Sequence, residues 1–133
     1  MNWFLAKTDP DTYSIDDFEK EGETVWDGVH NNAAILFIKQ MRPGDQVFIY
    51  ESMSSKAIVG LAEVTSEPYE NKADPRRSWA VKMKFVKKYQ KPLTLSEIKA
   101  DPAYKDFKLV RESRLSVMPV PENLAKKLIT QLA

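Results

Sequence analysis

The sequence predicts an α+β fold built on a curved or barrel-like sheet. Three observations carry that prediction. Five or more segments of strand character recur along the whole chain, with turn or polar residues between them. Short helical stretches with side-chain caps fall between and after them. No repeat, low-complexity tract or linker divides the 133 residues, so residues 1–133 are expected to fold as a single domain around one core.

Taken in order, Trp3 to Thr8 reads as the opening strand, stopped by Asp9-Pro10. Ser14 has the type and place of an N-cap. Asp16, Asp17 and Glu19 then favour the first turns of a short helix that Gly22 ends. Trp26 to Asn32 reads as a loop. Ala33 to Met41 is apolar nearly all round and predicts a buried helix, capped by Asn31 or Asn32 and ended by Arg42-Pro43-Gly44-Asp45. Strands follow over 46–52 and 58–64, joined by a loop at 53–56. Gly60, inside the second, predicts a bulge or a close backbone approach. A polar connection over 67–77 leads to Trp79–Lys88, where Val81, Met83 and Phe85 alternate with Lys82 and Lys84 as in a half-buried strand. Thr94-Leu-Ser-Glu97 is a capping box for a short helix that Asp101-Pro102 breaks. Leu115 to Val120 predicts the last strand. Pro121 suits the first position of a closing helix with Leu124, Leu128, Ile129 and Leu132 on one face.

Composition narrows the function classes. Hydrophobic residues make up 43% and charged residues 29%, a globular mix. No apolar run approaches the roughly 18–20 residues that cross a bilayer. The N-terminus lacks the basic-then-apolar pattern of a signal peptide. With no cysteine, disulfides and zinc–thiolate sites are excluded, and a cytoplasmic location is expected. One histidine and scattered carboxylates give no metal-ligand spacing, and no Gly-rich phosphate loop is present, so neither metal nor cofactor is expected. Net charge is only +1, but residues 1–70 carry 5 basic and 13 acidic side chains, and residues 71–133 carry 15 and 6. The asymmetry predicts one basic face, unless the halves interleave in space and their charges mix.

The densest chemistry lies in Trp26-Asp27-Gly28-Val29-His30-Asn31-Asn32. A turn needs the Gly and an Asn or Asp, but not Trp and His beside them. An aromatic among polar side chains is the composition of a pocket floor. The plainer alternative is a turn and a helix cap, with Trp26 in the core. Reading a nucleobase takes a flat apolar slot and groups for its edge, and Trp26, Asp27, Asn31, Ser52 and Ser116 supply those types. Lys82, Lys84, Lys87, Lys88 and Arg111 are then candidates for phosphate contact. A hydrolytic alternative has His30 as base, oriented by Asp27, activating Ser52 or Ser116. A third reading is a small-molecule or protein-interaction module on the same barrel.

Lys7-Thr8-Asp9-Pro10, Trp26-Asp27-Gly28-Val29-His30-Asn31 and Arg114-Leu115-Ser116-Val117-Met118-Pro119 occur in that order, together with Met41-Arg-Pro-Gly-Asp45 and Tyr50-Glu51-Ser52. This ordered set, spanning about residues 3–120, resembles the EVE domain of the PUA-like superfamily. The resemblance implies a PUA-like β-pseudobarrel with short helices packed at its ends. It also implies a nucleic-acid partner whose modified or flipped base is read without catalysis. C5-modified cytosine in DNA comes first, with RNA-associated modules as the alternative. By matched position it implies a base pocket of Lys7, Asp9, Pro10, Trp26, Asp27, His30, Asn31, Tyr50, Ser52, Arg114, Leu115 and Ser116. The chain departs from the family pattern at Thr8-Asp9, where Ser-Glu is usual, and at His30, where an Arg is usual. It departs again along Asn32-Ala33 and Ile35-Leu36, and in a shorter polar insertion before Trp79. Losing that Arg removes a fixed charge and a five-donor fork.

Overall fold

The computed structural model describes residues 1–53 and 55–133. Seven strands form one mixed sheet: β1 (Trp3–Thr8), β2 (Glu23–Val29), β3 (Gln46–Glu51), β4 (Ala57–Val64), β5 (Tyr69–Glu70), β6 (Trp79–Thr94) and β7 (Val117–Val120). Their order is β2-β6-β4-β3-β1-β7, with β5 paired to β6. Only β1 and β3 run parallel; the other pairs are antiparallel. Five short helices surround the sheet: α1 (Ile15–Glu21), α2 (Asn32–Gln40), α3 (Leu95–Ala100), α4 (Lys108–Arg111) and α5 (Glu122–Leu132). A 3-10 turn spans Pro102–Tyr104. None of these helices is long and apolar enough to cross a membrane.

The helix signals hold at the atomic level. Ser14 accepts from the Asp17 N–H while the Asp17 carboxylate accepts from the Ser14 N–H, a closed capping box. Thr94 and Glu97 repeat the pattern at α3. Asn31 caps α2, its side-chain oxygen accepting from Ala33 and Ala34. Leu124, Ala125, Leu128 and Leu132 bury one face of α5.

The sheet curls because β4 and β6 are paired with two register shifts. The first lies beside Gly60, where the β6 backbone and α1 both close in. A Cβ there would stand 2.8 Å from the Lys87 carbonyl oxygen and collide with the Ile15 side chain. The glycine expectation therefore holds, and its reason is a three-element crossing.

Several boundaries differ from the sequence reading. Trp26 to Val29 is not loop but the end of β2, which pairs with β6 up to a register shift between Trp26 and Val29. Gly28 in the left-handed region (φ 73°) makes that irregularity, and it hid the strand by breaking alternation. α2 is not buried all round: Ala34, Ile35 and Ile38 face the core, while Leu36 is exposed. β6 runs on to Thr94, because Tyr89 and Leu93 turn back into the core beyond the lysines. β7 begins only at Val117, with Leu115 and Ser116 before it, and Pro121 is the N-cap of α5 instead of its first residue. A Gly60→Ala substitution is expected to destabilise the fold by about 1–3 kcal/mol through overpacking, measured by denaturant unfolding.

Candidate functional site

The polypeptide leaves β1 at Thr8 and folds back at once. Backbone N–H groups of Thr12 and Tyr13 donate to the Asp9 carbonyl, the Asp11 N–H donates to the Asp9 carboxylate, and the Thr8 hydroxyl donates to the Tyr13 carbonyl at 2.7 Å. This turn carries Tyr13 against Trp26 of β2, edge-on, with ring centroids 6.4 Å apart. Phe18 of α1 packs on Trp26 as well, at 6.2 Å. A hollow of about 470 Å³ lies between the turn and β2, lined by Lys7, Asp9, Tyr13, Glu21, Trp26 and Asp27 among others. Three carboxylates and one ammonium thus line it. The Tyr13 hydroxyl donates to Glu21, and burial followed by that carboxylate pushes its phenol up to about 12. Trp26 is only 8% exposed, so it is both a wall of the hollow and a core residue.

A second hollow, about 190 Å³, lies beyond Lys7 and includes Tyr50, Ser52, Lys56 and Lys99. Lys7 reaches toward it, donating to the Ser113 carbonyl at 2.9 Å and lying 5.7 Å from the Tyr50 ring centre. Burial lowers the Lys7 pKa and raises that of Tyr50. The Ser52 hydroxyl donates to the Thr8 carbonyl at 3.1 Å. A third, shallower hollow holds Asn31, Arg111, Arg114 and Leu115. Another of about 480 Å³ opens at the start of β1 beside α5, and none of the expected base-pocket residues lines it.

The residues expected to form one base pocket are therefore divided. Lys7, Asp9, Trp26 and Asp27 share the first hollow; Tyr50 and Ser52 join Lys7 in the second; Asn31, Arg114 and Leu115 line the third. Pro10 and Ser116 line none of these three, although the Ser116 carbonyl accepts from the Lys7 N–H and so holds β1. Leu115 is 5% exposed and belongs to the core. The Asn31 oxygen is committed to capping α2. Sequence reasoning missed Thr12, Tyr13, Glu21 and Thr24 in the first hollow and Lys56 and Lys99 in the second. The only signal was adjacency: Tyr13 precedes the α1 cap, and Glu21 ends that helix.

Two further expectations are corrected. His30 lines none of the three hollows; its Nε2 sits 2.6 Å from Asp74 Oδ2, in the connection between β5 and β6, so the His30–Asp27 pair of the hydrolytic reading is not formed. The lysines of β6 are also less available than expected, because the halves of the chain interleave. Lys84 pairs with Glu63 at 3.3 Å, Lys88 with Asp16 at 2.5 Å, and Lys82 borders a shallow hollow with Glu21 and Glu23. Lys87 lies over the Tyr89 ring. Arg111 has no carboxylate partner among the described residues. Among the described residues no three His, Cys, Asp or Glu side chains are grouped to hold a metal ion.

A sequence profile of the EVE domain matches residues 2–131. The chain belongs to the EVE domain family. The EVE chain is 28% identical to rat thymocyte nuclear protein 1 over 156 residues, covering 91% of itself and 69% of the rat protein. It superposes on a protein of Rhodopseudomonas palustris with a TM-score of 0.91 at 34% identity, over 99% of this chain and 93% of that one. Human THYN1 protein, solved in complex with 5-methylcytosine-containing DNA, matches with a TM-score of 0.87 at 23% identity, over 98% and 97% of the two chains. The curled mixed sheet with its short helices is the PUA-like fold.

In this EVE domain the His30 hydrogen bond, then the Arg76 backbone N–H, holds the Asp74 carboxyl below its ordinary value. A lowered carboxyl pKa contributes stability above the unfolded value, near 3.8, and that contribution is lost as pH falls through the folded value. Asp74→Asn should therefore lower stability at neutral pH, and its gap from the parent protein should close below about pH 4. Denaturation midpoints across pH 2.5–7 measure this.

Proposed function

We propose that this EVE domain binds nucleic acid and takes an unpaired or flipped base into the hollow between the β1 turn and β2, without acting on it chemically. C5-modified cytosine in DNA is the first candidate. The observation that carries the reading is the lining of that hollow. The buried Trp26 gives an apolar wall, and the free Asp27 carboxylate gives an acceptor for an exocyclic amine such as the cytosine N4 group. The human relative bound to 5-methylcytosine DNA supports the same reading at the level of the family. Against a hydrolase stand the engagement of His30 by Asp74 and of Ser52 by Thr8.

Magnitudes set what such a hollow can select. Flipping a base from a duplex costs a few kcal/mol. A buried methyl returns only about 0.8 kcal/mol, and apolar pockets separate one carbon by roughly 1–3 kcal/mol. Strong selectivity for a mark therefore requires a polar substituent that meets a hydrogen-bonding group. The test is Asp27→Asn, an exposed position with no side-chain hydrogen bond among the described residues. Removing a charged acceptor should weaken binding of a modified-cytosine oligonucleotide about tenfold or more while the fold is kept, because a hydrogen bond to a charged group contributes about 1.5–3 kcal/mol. Fluorescence anisotropy with cytosine, 5-methylcytosine and 5-hydroxymethylcytosine oligonucleotides measures it. Equal affinity of parent and variant for all three would overturn the reading.

A further inference from the structure

The two hollows that share Lys7 have opposite linings. The first presents Asp9, Glu21 and Asp27; the second presents Lys7, Lys56 and Lys99, with no Asp or Glu among its described residues. None of the three lysines pairs with a carboxylate among the described residues. Each ammonium is brought by a different element: Lys7 by β1, Lys56 by the residues before β4, and Lys99 by the last turn of α3. The backbone is held in unusual conformations there. Met53 (φ 72°) and Lys56 (φ 46°) both occupy the left-handed region without being glycine. The Lys56 carbonyl is tied to α3 through the Leu95 N–H at 2.8 Å.

A second, independent feature lies in the same hollow. Tyr50 lines the hollow with its ring packed in the core, and its hydroxyl makes no hydrogen bond among the described residues. Burial raises the Tyr50 pKa further above its ordinary value, so the hydroxyl is a donor at neutral pH as any phenol is. A phenol hydroxyl beside three ammonium groups, none of them paired with a carboxylate among the described residues, is a set of donors suited to an acceptor that carries negative charge.

We propose that the hollow of Lys7, Tyr50, Lys56 and Lys99 is the socket for a phosphodiester group adjacent to the base held in the neighbouring hollow. The proposal rests on the nucleic-acid reading above and adds the place where the strand's backbone is gripped. It moves phosphate contact away from β6, whose Lys84 and Lys88 are already paired with Glu63 and Asp16. Lys7 forms the wall between the two hollows, so a base in one and its phosphate in the other are held by the two sides of one residue.

The experiment uses the full chain and its Lys56→Gln/Lys99→Gln double variant. Both side chains are exposed, so the variant is expected to fold. Binding is measured across salt concentrations to oligonucleotides carrying one modified cytosine. In each, a single phosphate on either side of that base is replaced by a neutral methylphosphonate. The parent should lose about tenfold in affinity at one of the replaced positions, and the variant should be about tenfold weaker than the parent on every base, with a shallower salt dependence. The methylphosphonate should then cost the variant several-fold less than it costs the parent. Free 5-methyldeoxycytidine, which has no phosphate, should bind both proteins alike by NMR titration. A variant that binds as tightly as the parent, or senses the methylphosphonate as strongly as the parent does, overturns the proposal. So does a variant that loses the free nucleoside. Inorganic phosphate binding without a methylphosphonate effect assigns the socket to a free anion and overturns it too. If the parent shows no preference among bases while the lysine and methylphosphonate effects persist, the base reading fails and the phosphate socket stands.

Discussion

The register of β1 between its two neighbours is the constraint on which the rest depends. Lys7 lies opposite Tyr50 in the parallel pairing with β3, and its N–H donates to the Ser116 carbonyl at the approach to β7. Side chains alternate faces along a strand, so a slip of one residue puts Ala6 or Thr8 where Lys7 stands. That slip would remove the wall between the two hollows. It would also move the Asp9 turn that delivers Tyr13 to Trp26. The parallel pair sits centrally, flanked by antiparallel strands, where burial on both faces specifies the register most strongly. Phe4, Leu5, Ala6, Val47, Phe48 and Ile49 are all buried, and they fix the position of the polar residues that follow them.

The fold was legible wherever a local physical rule decides structure. Both capping boxes, the Asn cap of α2 and the close approach at Gly60 follow from residue types at fixed spacings. The misreadings share one cause. Trp26 to Val29 was hidden because a bulge with a left-handed Gly28 breaks the alternation of two that marks a strand. The end of β6 was hidden because Lys87, Lys88 and Lys91 are exposed on a strand that has bent away from the core. β5 and α4, with two and four residues, are too short to show a period. Periodicity reports regular pairing, and a curled sheet is irregular where it curls.

The candidate site was half legible for a different reason. The ordered motifs bring some of the expected residues together, since Lys7, Asp9, Trp26 and Asp27 line one hollow. They do not say which side chains are spent on structure. Asn31 caps a helix, Leu115 fills the core, and His30 holds the β5–β6 connection through Asp74. Glu21 and Lys99 read as ordinary helix ends, and Lys56 as a loop charge, because nothing in one dimension shows three elements converging. The charge imbalance between the halves misled similarly: the sheet order sets β6 beside β4 and under α1, so Lys84 and Lys88 meet carboxylates from the acidic half.

The opposed linings of the two hollows have an electrostatic logic on the proposed reading. Carboxylates that accept from a base amine also repel the phosphates that arrive with it, since both lie within about 10 Å, a Debye length at 0.1 M salt. An acid-lined hollow alone would select a base and reject its strand. Cations clustered elsewhere on the molecule are screened at that range and offset little of this. Cations one side chain away offset most of it, and they do so without entering the hollow where they would compete for the acceptors. Lys7 meets that requirement, because it lines both hollows and its ammonium lies by Tyr50 and the Ser113 carbonyl. Selectivity and affinity are thereby separated by one residue's length, and the β1 register holds them apart.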